Sequence, residues 1–136
     1  MKKYIFTILM MFCITSIFAQ SNPANYLGSG TATNPYEIYS NNDLQNISVY
    51  LTQYRTAYFK LMNDLNLSGI VHSPIGTSSV LFAGNFDGNG RTISNLAGND
   101  KHLFRNLASG GIIKNVIITN ANITTAQTTA DMAILV

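Results

Sequence analysis

The sequence predicts an all-β fold, a parallel β-helix (solenoid) with a short N-terminal capping helix. Three observations predict it. Short strand-like groups separated by Gly and Asn clusters fill the chain from Ala57 onward. A polar corner residue stands directly before an aliphatic one at Asp64-Leu65, Asn95-Leu96 and Asn115-Val116, with weaker echoes at Asn66-Leu67, Asn120-Ala121 and Asn122-Ile123. The spacing varies (64 to 95, then 95 to 115) while the chemistry repeats, as expected of stacked coils whose loops differ in length. Within Phe82–Leu96, Asp87-Gly88 and Asn89-Gly90 mark a sharp corner, because Asp, Asn and Gly all tolerate left-handed backbone. Asn side chains at equivalent corners of successive coils can then bond as a ladder. A β-sandwich would make stricter hairpin alternation, and no second helix supports a βαβ layout.

The chain opens with Met1-Lys2-Lys3, an apolar run from Tyr4 to Phe18, and then Ala19-Gln20. A basic head, an apolar stretch and a small residue lay out a secretory signal peptide over 1–19. As a helix the apolar run would reach roughly 22 Å, short of the ~30 Å hydrocarbon core, which argues against an uncleaved anchor. Removing it leaves Lys60, Lys101, Lys114, Arg55, Arg91 and Arg105 against Glu37, Asp43, Asp64, Asp87, Asp100 and Asp131. The formal charge of +2 at pH 7 therefore belongs to Lys2 and Lys3. A neutral mature chain offers no electrostatic case for nucleic acid or for anionic membrane surfaces. Cys13 leaves with the signal peptide, so no disulfide is expected and stability must come from packing and hydrogen-bond ladders.

Residues 20–33, rich in Ser, Asn, Gly and Pro, read as a linker. Asn34-Pro35-Tyr36-Glu37-Ile38 is extended, since proline disfavours helix in its predecessor. A capping helix is expected over 40–55, with Leu44, Ile47, Leu51 and Tyr54 on one apolar face and Ser40, Asn41 or Asn42 as its cap. Such a face needs a surface to bury against, and the open end of the strand stack over 34–136 provides one. Phe59, Leu61, Leu65 and Leu67 share one parity, and Phe86, Ile93, Leu96, Phe104, Leu107, Ile113, Val116, Ile118 and Ile123 are the expected core of the later strands.

Phe86-Asp-Gly-Asn-Gly-Arg-Thr-Ile-Ser-Asn-Leu96, Leu103-Phe104 and Ile113-Lys-Asn-Val-Ile-Ile118 resemble the repeat pattern of bacterial surface proteins with GLUG motifs. Upstream, Asn34-Pro-Tyr-Glu-Ile38, the helix carrying Leu44 and the Phe59–Leu67 stretch are similar to the usual N-terminal section of that family. The resemblance covers residues 28–136 and implies a right-handed parallel β-helix on secreted or cell-surface proteins. His102 and Arg105 stand where the family has glycines, which implies a more crowded corner there. Ala133-Ile-Leu-Val136 falls where a next repeat would continue, so the resemblance implies a fragment of a larger protein.

No residue pattern points to chemistry. Asn85-x-Asp87-x-Asn89-Gly90 matches the first half of an EF-hand loop, but Thr92 and Leu96 occupy the eighth and twelfth positions, and one carboxylate balances a divalent ion poorly. His72 and His102 lack metal-ligand spacing and lie beside turn residues, where solvation is expected. Ser73 and Ser94 have no nucleophile elbow or triad context. Asp64 and Asp87 would have to stack on neighbouring coils to act as an acid–base pair, and both sit at structural corners. Tyr36, Tyr39, Tyr50, Tyr54 and Tyr58 are expected to pack the helix onto the first coil, with exposed stacking on sugars or contact with proteins as the alternative.

The expected protein is thus exported, secreted or at the cell surface, with a non-catalytic structural or adhesive role. No catalytic, metal or cofactor site is assigned. Its expected partners are surface proteins or glycans, with self-association through an open solenoid end. The alternative is the N-terminal part of a β-helix glycosidase or polysaccharide lyase with catalytic residues beyond Val136. An accessory region of an extracellular protease would need a metal motif that this chain lacks.

Overall fold

The computed structural model describes residues 22–97 and 102–121. The signal-peptide reading of 1–19 and the core placement of Ile123 lie outside the described residues. The strands and helices follow in chain order as β1 (Tyr36–Ile38), α1 (Asn41–Val49), α2 (Leu51–Tyr54), β2 (Tyr58–Leu61), β3 (Leu65–Asn66), β4 (Asn85–Asp87), β5 (Thr92–Ser94), β6 (Ile112–Lys114) and β7 (Ile117–Thr119). The fold is mainly β, and the pairs between these strands are parallel. One sheet runs β1-β2-β4-β6 and a second runs β3-β5-β7. Parallel bridges at Ile75–Phe104 and Phe82–Leu107 join the segments between β3 and β4 to those between β5 and β6.

The register explains the core. Tyr36, Phe59, Phe86 and Ile113 align across the first sheet, while Leu65, Ile93 and Ile118 align across the second. Alternate residues of a strand face opposite sides, so one shared parity stacks these side chains inward, each full burial stabilising by about 1.5–3 kcal/mol. Tyr36, Phe59, Phe86, Leu65 and Ile93 are buried, and so are Phe82, Leu96 and Phe104. Phe82 and Phe104 lie 5.3 Å apart between ring centroids, and Phe86 meets Phe104 edge-on at 5.2 Å. Ile113, Val116 and Ile118 are only half-buried, packed against this core at the β6 and β7 end.

Leu107 is a correction. It pairs with buried Phe82 yet is 44% exposed, because it belongs to the same outermost layer as the half-buried isoleucines.

The helix forms where its sequence allows, but in two pieces. Ser40 caps α1: its Oγ accepts from the Asp43 N–H at 3.2 Å, and Asp43 Oδ2 accepts from the Ser40 N–H at 2.9 Å. The single helix expected over 40–55 breaks at Tyr50, whose φ of −111° and ψ of 32° are not helical. Three weak helix formers, Ile47, Ser48 and Val49, lead into that break. Leu44, Ile47, Leu51 and Tyr54 are nevertheless all buried. The polar side of α1 covers the free edge of the second sheet. The Asn41 side-chain amide donates to the Asn66 carbonyl of β3 at 2.7 Å, and Ser48 Oγ donates to the Ser73 carbonyl at 2.7 Å.

The linker reading is corrected over residues 22–33. Tyr26 is buried against Tyr36, Tyr54 and Phe59, with ring centroids 5.3, 5.2 and 5.8 Å away. Its hydroxyl donates to the Asp43 carbonyl at 2.5 Å, while the Tyr54 hydroxyl donates to Asn22 Oδ1 at 2.8 Å and accepts from the Ala24 N–H at 3.0 Å. The Leu27 carbonyl accepts the Glu37 N–H at 2.9 Å, so this segment covers the outer edge of β1. Turn-rich composition signals only that the backbone is irregular; one large aromatic suffices to anchor it.

Candidate interaction face

The corner between the two sheets is built by the motif that dominates the sequence. β4 ends at Asp87, whose Oδ1 accepts from the Asn89 N–H at 2.8 Å and from the Asn115 side-chain amide at 3.0 Å. Lys114 Nζ stands 3.5 Å from Oδ2, so an ammonium already occupies the carboxylate's outer side. Desolvation works to raise the Asp87 pKa, but the Asn115 amide, the Asn89 N–H and Lys114 together outweigh it and hold the group below the usual carboxylate range. Asp64 plays a different part, its Oδ1 accepting the Thr92 N–H at 2.9 Å. Both carboxylates tie one layer to the next.

The Asn pairs sort into two corners. Asn115 stacks over Gly88, while Asn95 aligns with Asn120 at the far end of the second sheet, given the Ser94–Thr119 pairing. Asn95 donates from its side-chain amide to Asn66 Oδ1 at 2.9 Å, so the expected Asn contact between layers exists there. Asn89, Asn95, Asn115 and Asn120 all adopt positive φ, between 51° and 58°. Grouping Asn95-Leu96 with Asp64-Leu65 and Asn115-Val116 therefore mixed two corners. The interval in the first sheet is 23 residues from β1 to β2 (36 to 59) and 27 for each later step (59 to 86, 86 to 113).

The register reveals a feature which the irregular spacing concealed. Glu37, Lys60, Asp87 and Lys114 are register partners across all four strands of the first sheet, forming an outward row of alternating charge. Beside it runs Tyr58, Asn85 and Ile112, an aromatic, an amide and an aliphatic. Tyr39 donates its hydroxyl to Glu37 Oε2 at 2.6 Å, a bond that raises the phenol pKa. Tyr39 and Tyr58 are exposed, whereas Tyr36 and Tyr54 are buried and Tyr50 is half-buried. Packing of the helix thus accounts for Tyr36 and Tyr54, and two tyrosines remain on the surface beside the charged row.

His72 corrects the expectation of solvation. It is 5% exposed, with Nε2 3.5 Å from the Leu103 carbonyl; its neighbours in space come from a segment 31 residues away, which sequence adjacency to Ser73-Pro74 does not reveal. Burial pushes its pKa down, offset in part by that carbonyl. A lowered folded-state pKa means that the unfolded chain binds the proton more readily. His72 therefore leaves stability intact above its ordinary pKa of 6.5 and erodes it as the pH falls below that value. Urea midpoints measured across this range should show that slope, and His72→Met should flatten it; an unchanged slope would place the titration elsewhere. His102 is half-buried, Ser94 Oγ donates to the Leu65 carbonyl at 3.2 Å, and the Ser73 N–H donates to Gln45 Oε1 at 3.1 Å. Among the described residues, no three His, Cys, Asp or Glu side chains are placed to share a metal ion.

No protein-family model matches the chain, and no solved structure matches it. Two curated proteins are similar to it. "Halomucin" of Haloquadratum walsbyi is 37% identical over 115 residues, covering 74% of this chain and 1% of that protein. The "Putative Gly-rich membrane protein" of Evansella cellulosilytica is 28% identical over 136 residues, covering 91% of this chain and 16% of that protein. The chain thus spans a small part of the length of either relative. Among the described residues, no helix is long and apolar enough to cross a membrane.

Proposed function

We propose that the chain is a portion of a right-handed parallel β-helix from an exported bacterial surface protein of the GLUG-repeat kind, serving as a non-catalytic structural and adhesive module. The observation that carries this reading is the parallel, in-register pairing within two sheets connected through short corners. That arrangement presents long rows of outward side chains on a rigid frame, the form of surface on which a solenoid engages partners. The outward row of alternating charge, with Tyr39 and Tyr58 beside it, supplies aromatic faces and polar groups suited to glycans or to a surface protein. A relative named as a membrane protein supports a location at the cell envelope.

The test is twofold and uses the full chain. Tagged protein should be open to protease added outside intact cells, and it should bind immobilised glycans or surface extracts with an affinity that Tyr58→Ala lowers about tenfold. Release of reducing ends or unsaturated sugars from a polysaccharide panel would overturn the non-catalytic reading in favour of a glycosidase or lyase. Protection from external protease would overturn the location.

A further inference from the structure

We propose that Lys60 is the centre of a binding site for a neutral sugar unit of a polysaccharide, with Glu37 and Asn85 as hydrogen-bonding partners and the Tyr39 and Tyr58 rings as stacking surfaces. Resting on the adhesive reading, this site narrows its ligand to one class. Lys60 points outward from an inner strand of the first sheet, between Glu37 of β1 and Asp87 of β4. Both carboxylates are engaged elsewhere. Glu37 Oε2 accepts from the Tyr39 hydroxyl at 2.6 Å, while Asp87 is held by the Asn89 N–H, the Asn115 amide and Lys114. Lys60 thus has an acid in register on each side and, among the described residues, an ion pair with neither. Tyr58 and Asn85 are register partners on β2 and β4, and their side-chain polar groups also lack hydrogen-bond partners among the described residues.

These groups lie close together. Neighbouring strands are about 4.8 Å apart and outward residues of one strand about 7 Å apart, so one or two sugar rings span them. The charge of the ligand follows from the row. An anion drawn to the Lys60 ammonium would meet Glu37 and Asp87 on the adjoining strands, and a cation drawn to Glu37 would meet Lys60. Like charges at that separation oppose either one. A sugar hydroxyl avoids the conflict because it both donates and accepts. One hydroxyl can accept from the Lys60 ammonium while its neighbour donates to Glu37 Oε1, which has no partner among the described residues. Tyr39 and Tyr58 are 42% and 38% exposed, so the apolar face of a sugar can stack on them. The bond to Glu37 holds the Tyr39 ring in place before a ligand arrives, which lowers the ordering cost of binding.

The test titrates the isotope-labelled full chain with cellotetraose, mannotetraose and chitotetraose as neutral probes and with tetragalacturonate as the acidic one, following amide shifts. A neutral probe should saturate, with shifts centred on residues 37–39, 58–60 and 85–87, and about 0.5 M salt should change its affinity little. Lys60→Met should weaken that binding about tenfold. Tyr39→Phe keeps the ring but frees Glu37 to pair with Lys60, and should weaken it about threefold. Both side chains point outward, so urea midpoints should confirm that the two variants stay folded. Tighter binding of tetragalacturonate that salt abolishes would overturn the proposal, as would neutral binding that ignores both variants. No tetrasaccharide binding at about 5 mM, with surface extracts still retained through Tyr58, would overturn the sugar site alone and leave the adhesive reading with a protein partner. Loss of extract binding as well would sink both.

Discussion

Phe86→Ala should lower the unfolding free energy by about 3–5 kcal/mol, read as a fall in urea midpoint without a change in m. Phe86 is fully buried, stands in register between Phe59 and Ile113, and meets the Phe104 ring at 5.2 Å. Removing its ring leaves a cavity bounded by three layers, each fixed by backbone ladders that cannot collapse independently. The transfer loss and the cavity loss therefore add. Phe86→Leu, which keeps much of the volume, should cost clearly less than the alanine variant. A loss below about 1 kcal/mol for Phe86→Ala would mean that the layers do not share one core.

Gly88→Ala should destabilise by about 2–3 kcal/mol and Gly90→Ala by about 1 kcal/mol, although the two glycines belong to one corner. A Cβ on Gly88 would lie 2.3 Å from the Asn115 carbonyl oxygen and 2.6 Å from Val116 Cα, both backbone atoms of the next layer. Nothing lies within 4 Å of a Cβ on Gly90, which instead holds a φ of +69°. Gly88 is required by close approach, Gly90 by conformation. Gly90→Asn should recover part of the alanine loss, since Asn tolerates this backbone and neighbouring Asn89 adopts φ 53°. Gly88→Asn should recover none. Equal losses for the two alanine variants, measured by denaturant unfolding at one pH, would refute this division.

The alternating residues around Asp87-Gly88-Asn89-Gly90 and the stripe from Leu44 to Tyr54 were legible in the chain, and the cap was narrowed to Ser40, Asn41 or Asn42, because dihedral preference and side-chain parity are local properties. Parity placed Phe59 inward, and Phe86, Ile93 and Phe104 of the expected core are buried too. The candidate face was not legible. Its row emerges only once 37, 60, 87 and 114 are known to be register partners, and no single strand carries the pattern.

Sequence by itself marked the turns, most of the inward residues and the apolar stripe of the helix. Tertiary structure decided which corners stack, that Tyr26 anchors the first segment, that His72 is buried and that Leu107 is left outside. The physical reason lies in the loops. Pairing in the second sheet advances by 28 residues and then by 25 (65 to 93, 93 to 118), while the first sheet advances by 23 and then twice by 27 (36 to 59, 59 to 86, 86 to 113). Loop closure costs little for such differences, so chain spacing does not specify register. Register is settled by the simultaneous fit of rings, asparagine bonds and opposite charges across layers.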